Sequence, residues 1–301
     1  MRVLILGGGG VGGYLGYRLA RFGKAEVSLV ARGKHLAMIR ERGLRVIDDG
    51  EEATIRPEHT VADPSELGAF DLILVTVKHT DLASSLELIR ENIAPQTLIL
   101  PLLNGVDHRR EILELYPDAD VMEGCIYILS NILEPGVIRK KGAIFNLCWG
   151  REGFDPTDYT EIITLFDRAL PRHKPTADIA LEQWRKYLFI SPMAALTSLH
   201  GKTMDRIVAE HSEELRQLMD EIASLARAKG IPLSDETVDK TFERMRQTLP
   251  GAKTSMQLDL ERSKHAEIEA LVGYVVREGK KLDVDVSGME RVYGALKDGD
   301  R

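Results

Sequence analysis

The fold is decided by residues 2–22, RVLILGGGGVGGYLGYRLARF. The run 2–6, apolar from Val3 onward, is typical of a buried strand. Glycines follow it, and the next apolar residues recur at helical spacing. Those helical positions are Val11, Leu15, Leu19 and Phe22. The helical pattern ends at Gly23, a residue suited to the left-handed conformation that often follows a helix. A strand, a glycine turn and a helix in this order predict the start of a parallel α/β sheet.

The remainder of the first half repeats this alternation of strand and helix. Further strand-like runs are EVSLV (26–30), DLILVTV (71–77) and TLILPLL (97–103). They predict a Rossmann-type, mostly parallel sheet, whose buried strands are apolar without a break. The segment LRVIDDGEEATI (44–55) predicts a hairpin with Asp49-Gly50 at its turn. Residues 121–149 have strand composition with turns, and we expect antiparallel strands that extend the sheet.

The character of the chain changes after a helical pattern over Tyr159 to Leu170. The stretch PRHKPT (171–176) combines two prolines with charge, which is typical of a domain boundary. From Asp178 to the end nearly every segment is helical in period. One example is the helical pattern that includes Ile222, Leu225 and Ala226, for which Gly230-Ile231-Pro232 is the stop signal. We therefore predict a Rossmann domain at 1–172 and an all-helical domain at 173–301, a division that suits 301 residues.

Composition excludes several classes of function. Lys and Arg total 40 against 47 Asp and Glu, and the net charge of −7 repels nucleic acid. The longest apolar runs are too short to cross a bilayer, and glycines interrupt the first run where a signal peptide needs continuous apolar residues. The two cysteines, Cys125 and Cys148, have no zinc spacing, and the eight histidines suggest no metal site. We expect a cytoplasmic protein without metal, membrane or nucleic-acid partners.

The glycine turn points to a ligand. Its residues Gly7, Gly8, Gly9, Gly10, Val11 and Gly12 match G-x-G-x-x-G between a predicted strand and a predicted helix. Glycines permit the tight turn and let a pyrophosphate approach the N–H groups at the start of the helix. The alternative is a flexible loop in a non-binding α/β domain. We predict a bound dinucleotide.

The end of the second strand selects the dinucleotide. It reads Val30-Ala31-Arg32, without the acidic residue that usually binds the ribose 2′-hydroxyl of NAD. Arg32, with Lys34 nearby, could instead bind the 2′-phosphate of NADP(H) through its charged, planar guanidinium group. The alternative is a solvated surface arginine that begins a helix over 34–42.

Two further predicted strands end in polar residues. Lys78 follows the strand at 71–77, and Asn104-Gly105 follows the strand at 97–103. Ligands collect beyond the carboxyl ends of parallel strands, so both residues are candidates for binding the cofactor or a substrate carboxylate. The alternatives are a lysine that keeps the sheet edge soluble and an Asn-Gly turn.

Six ordered segments carry a family resemblance. They are ILGGGGVGGYLG (5–16), LVARGKHL (29–36), VTVK (75–78), PLLNGV (101–106), EQWRK (182–186) and TSMQLDLERSKHAEIE (254–269). In this order the chain resembles the ketopantoate reductase (2-dehydropantoate 2-reductase) family. The resemblance implies a Rossmann domain, a helical substrate-binding and catalytic domain, and an active site in the cleft between them. The implied reaction is the NADPH-dependent reduction of a 2-oxo acid, foremost ketopantoate to pantoate in pantothenate biosynthesis.

The resemblance also assigns roles to residues. Lys186 takes the position of the general acid, and Glu267 the position of a glutamate that contacts substrate and orients the lysine. Ser255 matches a serine that binds the substrate carboxylate, and Asn104 an asparagine close to both nicotinamide and substrate. From the residues alone, Lys186 reads as a snorkelling helix lysine, Glu267 as a rim glutamate and Ser255 as a helix N-cap.

One departure leaves the substrate open. Two asparagines that bind pantoate in the family correspond here to Ile190 and Ala194. A reductase of a more apolar 2-oxo acid is therefore an alternative. A non-catalytic NADP(H) sensor is another, although a sensor has no need of Lys186 and Glu267. The helical domain could form a homodimer, but its sequence does not separate an interface from a core.

Overall fold

The computed structural model describes residues 1–262 and 265–299, which form two compact units. The first unit comprises Met1–Leu103 and Asp107–Ile179, and the second comprises Asn104–Val106 and the chain from Ala180 onward. The first unit extends past the predicted boundary at residue 172 because a short strand at His173–Pro175 pairs with its sheet. The assignment of cofactor to one domain and substrate to the other stays a prediction.

The first unit contains all the strands of the described residues. In chain order they are β1 (Arg2–Leu6), β2 (Glu26–Val30), β3 (Leu44–Asp48), β4 (Glu51–Ile55), β5 (His59–Val61), β6 (Leu72–Val75), β7 (Leu98–Pro101), β8 (Asp120–Val121), β9 (Glu123–Glu134), β10 (Val137–Gly150) and β11 (His173–Pro175). Its helices are α1 (Gly10–Arg21), α2 (Gly33–Arg42), α3 (Leu82–Glu87), α4 (His108–Leu115) and α5 (Thr160–Ala169).

Six of these strands form the predicted parallel sheet. Their order is β5-β2-β1-β6-β7-β8, and every neighbouring pair runs parallel. The strand order reverses at β1, which lies between β2 and β6, and ligands of such sheets bind beyond the carboxyl ends at this point. The glycine turn directly follows β1 there. The predicted fold class, a Rossmann-type sheet followed by a helical region, is confirmed.

The antiparallel strands do not extend this sheet, contrary to the expectation. β9 and β10 pair with each other, and β10 also pairs with β3 and β11, so that with β4 they form a second, five-stranded sheet. The hairpin of β3 and β4 is confirmed, with Asp49 and Gly50 at its turn. Because β3 and β10 are distant in sequence, their pairing leaves no local signal.

Helix α1 ends where predicted but for a different reason. The left-handed residue is Lys24, with φ 55°, and not Gly23. A Cβ on Gly23 would lie 2.5 Å from Cδ1 of Leu165 and 2.7 Å from the Leu19 carbonyl oxygen. Glycine is therefore favoured at this position by the close approach of α5 and of the Leu19 carbonyl group of α1 itself.

The second unit is helical throughout its described residues, as predicted. Its helices are α6 (Ile179–His200), α7 (Met204–Glu210), α8 (Ser212–Ala228), α9 (Asp235–Arg246), α10 (Ser255–Glu261), α11 (Tyr274–Lys281) and α12 (Ser287–Gly299), with one π-helical turn at Glu269–Gly273 before α11. Gly230, with φ +80°, follows the end of α8 as expected. In neither described range is there a helix long and apolar enough to cross a membrane.

Candidate functional site

The glycine turn has the geometry of a dinucleotide-binding loop. Gly7 has φ +112°, and a Cβ there would lie 2.8 Å from the Val77 nitrogen. A Cβ on Gly12 would collide with the Gly7 carbonyl oxygen and the Thr76 hydroxyl. Around a Cβ placed on Gly9, by contrast, no atom of the described residues lies within 4 Å. The first and third glycines are thus required by packing, while the second leaves space at the start of α1 for a ligand to approach.

The same turn can attract an anion. Gly9 is the N-cap of α1, and the first turn of the helix has no acidic side chain. The N–H groups and the positive end of the helix dipole at such a terminus favour phosphate. Ser130 of β9 donates a hydrogen bond to the Gly10 carbonyl oxygen at 2.7 Å, and Gly8 N–H donates to Val30 at 2.7 Å. The second sheet and β2 therefore hold the turn in place, with half-buried Val11 inside it. The turn fits a pyrophosphate.

His35 also holds the glycine turn, and sequence analysis missed this residue. Gly136 N–H, in the turn between β9 and β10, donates to Nδ1 of His35 at 3.0 Å. Because Nδ1 accepts this bond, the ring carries its proton on Nε2, which donates to the Gly8 carbonyl oxygen at 2.9 Å. Burial lowers the pKa of His35, against the opposing effect of the Gly8 carbonyl. His35 is therefore a neutral bridge between two turns.

The charged candidates lie at strand ends, as predicted. Arg32 lies two residues after the end of β2, occupies the N-cap position of α2 with extended backbone, and is exposed together with Lys34. Lys78 follows β6 and is half-buried at the start of a 3₁₀ turn. These positions agree with the expected placement, and the phosphate contacts of both residues stay predictions.

In the second unit, three of the predicted residues lie together. The Lys186 ammonium donates to Asn104 Oδ1 at 3.0 Å, and Asn104 Nδ2 donates to Glu267 Oε2 at 3.3 Å. Lys186 and Glu267 are only 8% and 7% exposed, so each charge needs polar partners. The Asn104 amide, oriented by both neighbours, connects a buried cation to a buried carboxylate.

The backbone after Glu267 is held by hydroxyl groups that sequence analysis also missed. The single Tyr187 hydroxyl lies 2.8 and 2.9 Å from the carbonyl oxygens of Ala270 and Leu271, which share its proton, and Ser191 donates to the Leu271 oxygen at 2.5 Å. A π-helical turn interrupts the regular helix hydrogen bonds, and such turns are frequent at functional sites. The two hydroxyls join this turn to α6, the helix that also contains Lys186. They fix the segment in which Glu267 lies.

The other predicted substrate residues have mixed positions. Ser255 is exposed and is the first residue of α10, whereas its neighbour Thr254 is the N-cap and accepts a hydrogen bond from Gln257 N–H. The capping alternative considered for Ser255 is therefore wrong, since the adjacent threonine caps the helix. Ile190 is half-buried and Ala194 buried, one and two turns after Lys186 on α6.

The histidines form groups that the sequence did not suggest. Within the described ranges, two sets of ligand atoms each lie within 4.8 Å of one another, in His79, His108 and Glu111 and in His200, His211 and Glu214. The sequence spacing of these residues showed no metal motif because each group joins separate elements.

A dinucleotide turn on a parallel sheet and a buried lysine, amide and carboxylate define a nicotinamide-dependent oxidoreductase. The model of the family "Ketopantoate reductase PanE/ApbA" matches residues 3–151, and the model of its C-terminal domain matches residues 178–299. The chain therefore belongs to the ketopantoate reductase family, as the resemblance implied, and the cofactor of this family is NADPH.

Individual relatives match this chain over nearly their whole length. The chain is 30% identical to a 2-dehydropantoate 2-reductase of Mesorhizobium japonicum, over 99% of this chain and 97% of the relative. It is 27% identical to an uncharacterised oxidoreductase, YkpB, of Bacillus subtilis, over 99% and 98%. The crystal structure of a 2-dehydropantoate 2-reductase of Porphyromonas gingivalis matches with a TM-score of 0.86 and 33% identity, over 98% of this chain and 99% of that one.

Proposed function

We propose that this protein reduces a 2-oxo acid to a 2-hydroxy acid with NADPH, and that ketopantoate, reduced to pantoate for pantothenate biosynthesis, is its leading substrate. The observation that carries the proposal is the hydrogen-bonded chain from Lys186 through Asn104 to Glu267. A nucleotide sensor would need only the glycine turn. A buried ammonium held by an oriented amide suits the reduction of a ketone, because it can stabilise and protonate the substrate oxygen.

The chemistry of the proposal follows from where charge develops. Bound NADPH would supply the hydride, and addition of a hydride to the keto carbon leaves negative charge on the substrate oxygen. The Lys186 ammonium stabilises that charge and donates the proton that completes the hydroxyl group. Asn104 Oδ1 accepts a hydrogen bond from the ammonium group and so orients Lys186, while Glu267 fixes the orientation of the amide. Burial strengthens these interactions, because little water competes for them.

The glycine turn is the part of the chain that best fits the cofactor. The residues of the turn, Gly7 to Gly12, would hold the pyrophosphate at the start of α1, where Gly9 leaves the space. Arg32 would bind the 2′-phosphate from its exposed position after β2. The contacts of Lys78 and Asn104 with the cofactor stay predictions.

A second substrate class is favoured by α6. Ile190 and Ala194 offer no hydrogen bond at the positions one and two turns beyond Lys186. A 2-oxo acid with an apolar side chain suits these residues better than the hydroxyl of ketopantoate. In either case we assign the substrate carboxylate to Ser255 and Asn104, which the family resemblance supports.

The experiment that tests the proposal is an NADPH-oxidation assay with a panel of 2-oxo acids that includes ketopantoate and apolar analogues. Turnover of at least one acid, with NADPH preferred over NADH, is the expected result. Tight NADPH binding without turnover of any acid would favour the sensor instead. We also propose that the reaction takes place in the cytoplasm, which the low cysteine content supports. The protein could form a homodimer, and light scattering of the purified protein tests this.

A further inference from the structure

A group of three metal-ligating side chains lies in the first unit, outside the residues used above. His79 belongs to the 3₁₀ turn after β6, and His108 and Glu111 belong to the first turn of α4. His79 Nε2 lies 3.1 Å from each of the two Glu111 carboxylate oxygens. The rings of His79 and His108 have centroids 5.5 Å apart. One ligand atom from each residue lies within 4.8 Å of the other two.

The spacing of His108 and Glu111 explains part of this arrangement. Residues three apart on a helix lie on the same face, so both side chains leave α4 on one side. His108 is buried, whereas the side chains of His79 and Glu111 are 20% and 29% exposed. The group is thus anchored from inside and reachable from solvent. The neighbouring Arg110 is engaged by Asp107, at 3.0 Å, and by Glu114.

The distances suit a small divalent ion. Zinc ligands lie about 2.0–2.2 Å from the metal, which places tetrahedral ligand atoms about 3.3–3.5 Å from one another. The pairs at 3.1 Å are only about 0.2–0.4 Å closer than this spacing, and the limit of 4.8 Å means that the other ring has to move by at most about 1.5 Å on binding. Two imidazoles and a carboxylate are a ligand set typical of zinc, cobalt and nickel, with a fourth position left for water.

The second group of the same composition is a natural comparison. Lys202 lies 2.9 Å from Nε2 of His211, and Arg291 donates to Glu214 at 2.9 Å. The rings of His200 and His211 are stacked at 3.8 Å. Two cations therefore already contact the ligand atoms there, and a metal ion would have to displace them.

We propose that His79, His108 and Glu111 form a binding site for a divalent transition-metal ion such as Zn²⁺. The ion joins the turn after β6 to α4, and so restrains the backbone next to Lys78. Because the folded chain supplies all three ligands at once, metal binding stabilises the folded state by a free energy that grows with the logarithm of the free metal concentration once this concentration exceeds the dissociation constant.

The test uses Co²⁺ as a spectroscopic substitute for Zn²⁺. The full-length protein is freed of metal with a chelator, dialysed, and titrated with Co²⁺ while the visible d–d absorption is recorded. We expect one equivalent of a four- or five-coordinate complex, its displacement by Zn²⁺, and a higher melting temperature with Zn²⁺. Glu111→Gln and His79→Gln should each weaken Co²⁺ binding at least ~10- to 100-fold, as expected when a group that holds the metal is lost.

Controls separate this site from the other group and from misfolding. Glu214→Gln and His211→Gln should leave Co²⁺ binding unchanged, and circular dichroism checks the fold of each variant. If Glu111→Gln does not fold, His79→Gln, at a half-exposed position, still gives the answer. Absence of a stoichiometric Co²⁺ complex in the wild-type protein, or binding lost only in the Glu214 and His211 variants, would overturn the proposal.

Discussion

Lys186 is a buried cation whose ammonium group donates to the Asn104 side chain. Lys186→Ala should lower kcat by roughly a hundredfold or more and leave NADPH affinity nearly unchanged, because the lost interaction strengthens mainly as charge forms on the substrate oxygen. Steady-state kinetics and fluorescence titration with NADPH measure the two effects. Lys240→Ala, at an exposed lysine on α9, is the matched control. Wild-type turnover in Lys186→Ala would show that another group donates the proton.

Arg32 is the residue on which cofactor preference should depend. A charge-assisted contact with the 2′-phosphate should make NADPH bind at least about tenfold more tightly than NADH, which corresponds to about 1.4 kcal/mol. Arg32→Ala should remove most of this preference, and calorimetric titration with each cofactor measures it. Arg42→Ala changes an exposed arginine at the C-terminal end of α2 and should retain the preference for NADPH over NADH. Equal affinities for NADPH and NADH in the wild-type protein would contradict the assignment.

At the scale of elements, His35 couples α2 to the glycine turn and to the turn between β9 and β10. Burial lowers the pKa of His35. At pH values below the ordinary pKa of about 6.5, the unfolded chain therefore binds this proton more readily than the folded chain does. The stabilising effect of neutral His35 is therefore complete above that pH and is lost as pH falls towards the lowered pKa.

His35→Gln tests this pH dependence, because a carboxamide can form both hydrogen bonds and does not titrate. Urea unfolding at pH 8 and at pH 5 gives the free energy of unfolding for each protein. The loss of stability on acidification should be smaller in His35→Gln than in the wild type, and all other histidines contribute equally to both. Identical losses would mean that His35 is not the titrating group.

The glycine turn offers a matched pair of substitutions. Gly12→Ala should destabilise the fold by about 1–3 kcal/mol, because its Cβ meets the Gly7 carbonyl and Thr76.

Gly9→Ala should leave stability nearly unchanged, because Gly9 has φ −72° and a Cβ there meets none of the described atoms within 4 Å. It should nevertheless weaken NADPH binding about tenfold or more, by occupying the space expected for the pyrophosphate. Thermal melts and NADPH titrations of both variants provide the comparison, and unchanged NADPH affinity in Gly9→Ala would argue against a pyrophosphate at this turn.

Selection among 2-oxo acids is a property of the folded protein as a whole. Ile190 and Ala194 cannot hydrogen-bond the 4-hydroxyl of ketopantoate, and each lost contact should weaken discrimination by about 1–3 kcal/mol. We expect a comparatively high KM for ketopantoate and only a modest preference over 3,3-dimethyl-2-oxobutanoate, which lacks that hydroxyl. Measurement of kcat/KM for both acids decides the question. A preference for ketopantoate above roughly a thousandfold would show that other residues bind the hydroxyl.

Much of the architecture follows from local sequence. The strand, glycine turn and helix at 2–21, the hairpin turn at Asp49-Gly50 and the end of α8 before Gly230 were all predictable. Each depends on side-chain periodicity or on backbone conformations that only certain residues adopt, and these act over a few residues. Lys186, Asn104 and Glu267 were proposed as site residues on the basis of family resemblance, since a helix lysine alone gives no signal of a catalytic role.

Only the tertiary structure decided which distant residues meet. The pairing of β3 with β10, the bridge from His35 to Gly136, and the group of His79, His108 and Glu111 each join separate segments. The amide of Asn104 between Lys186 and Glu267 is a contact of the same kind. The periodicity of apolar residues predicts which face of a helix or strand is buried. Which other segment packs against that face depends on the packing of the whole unit. The sequence by itself therefore determined the secondary-structure elements and the glycine turn, and the tertiary structure determined the polar contacts between these elements.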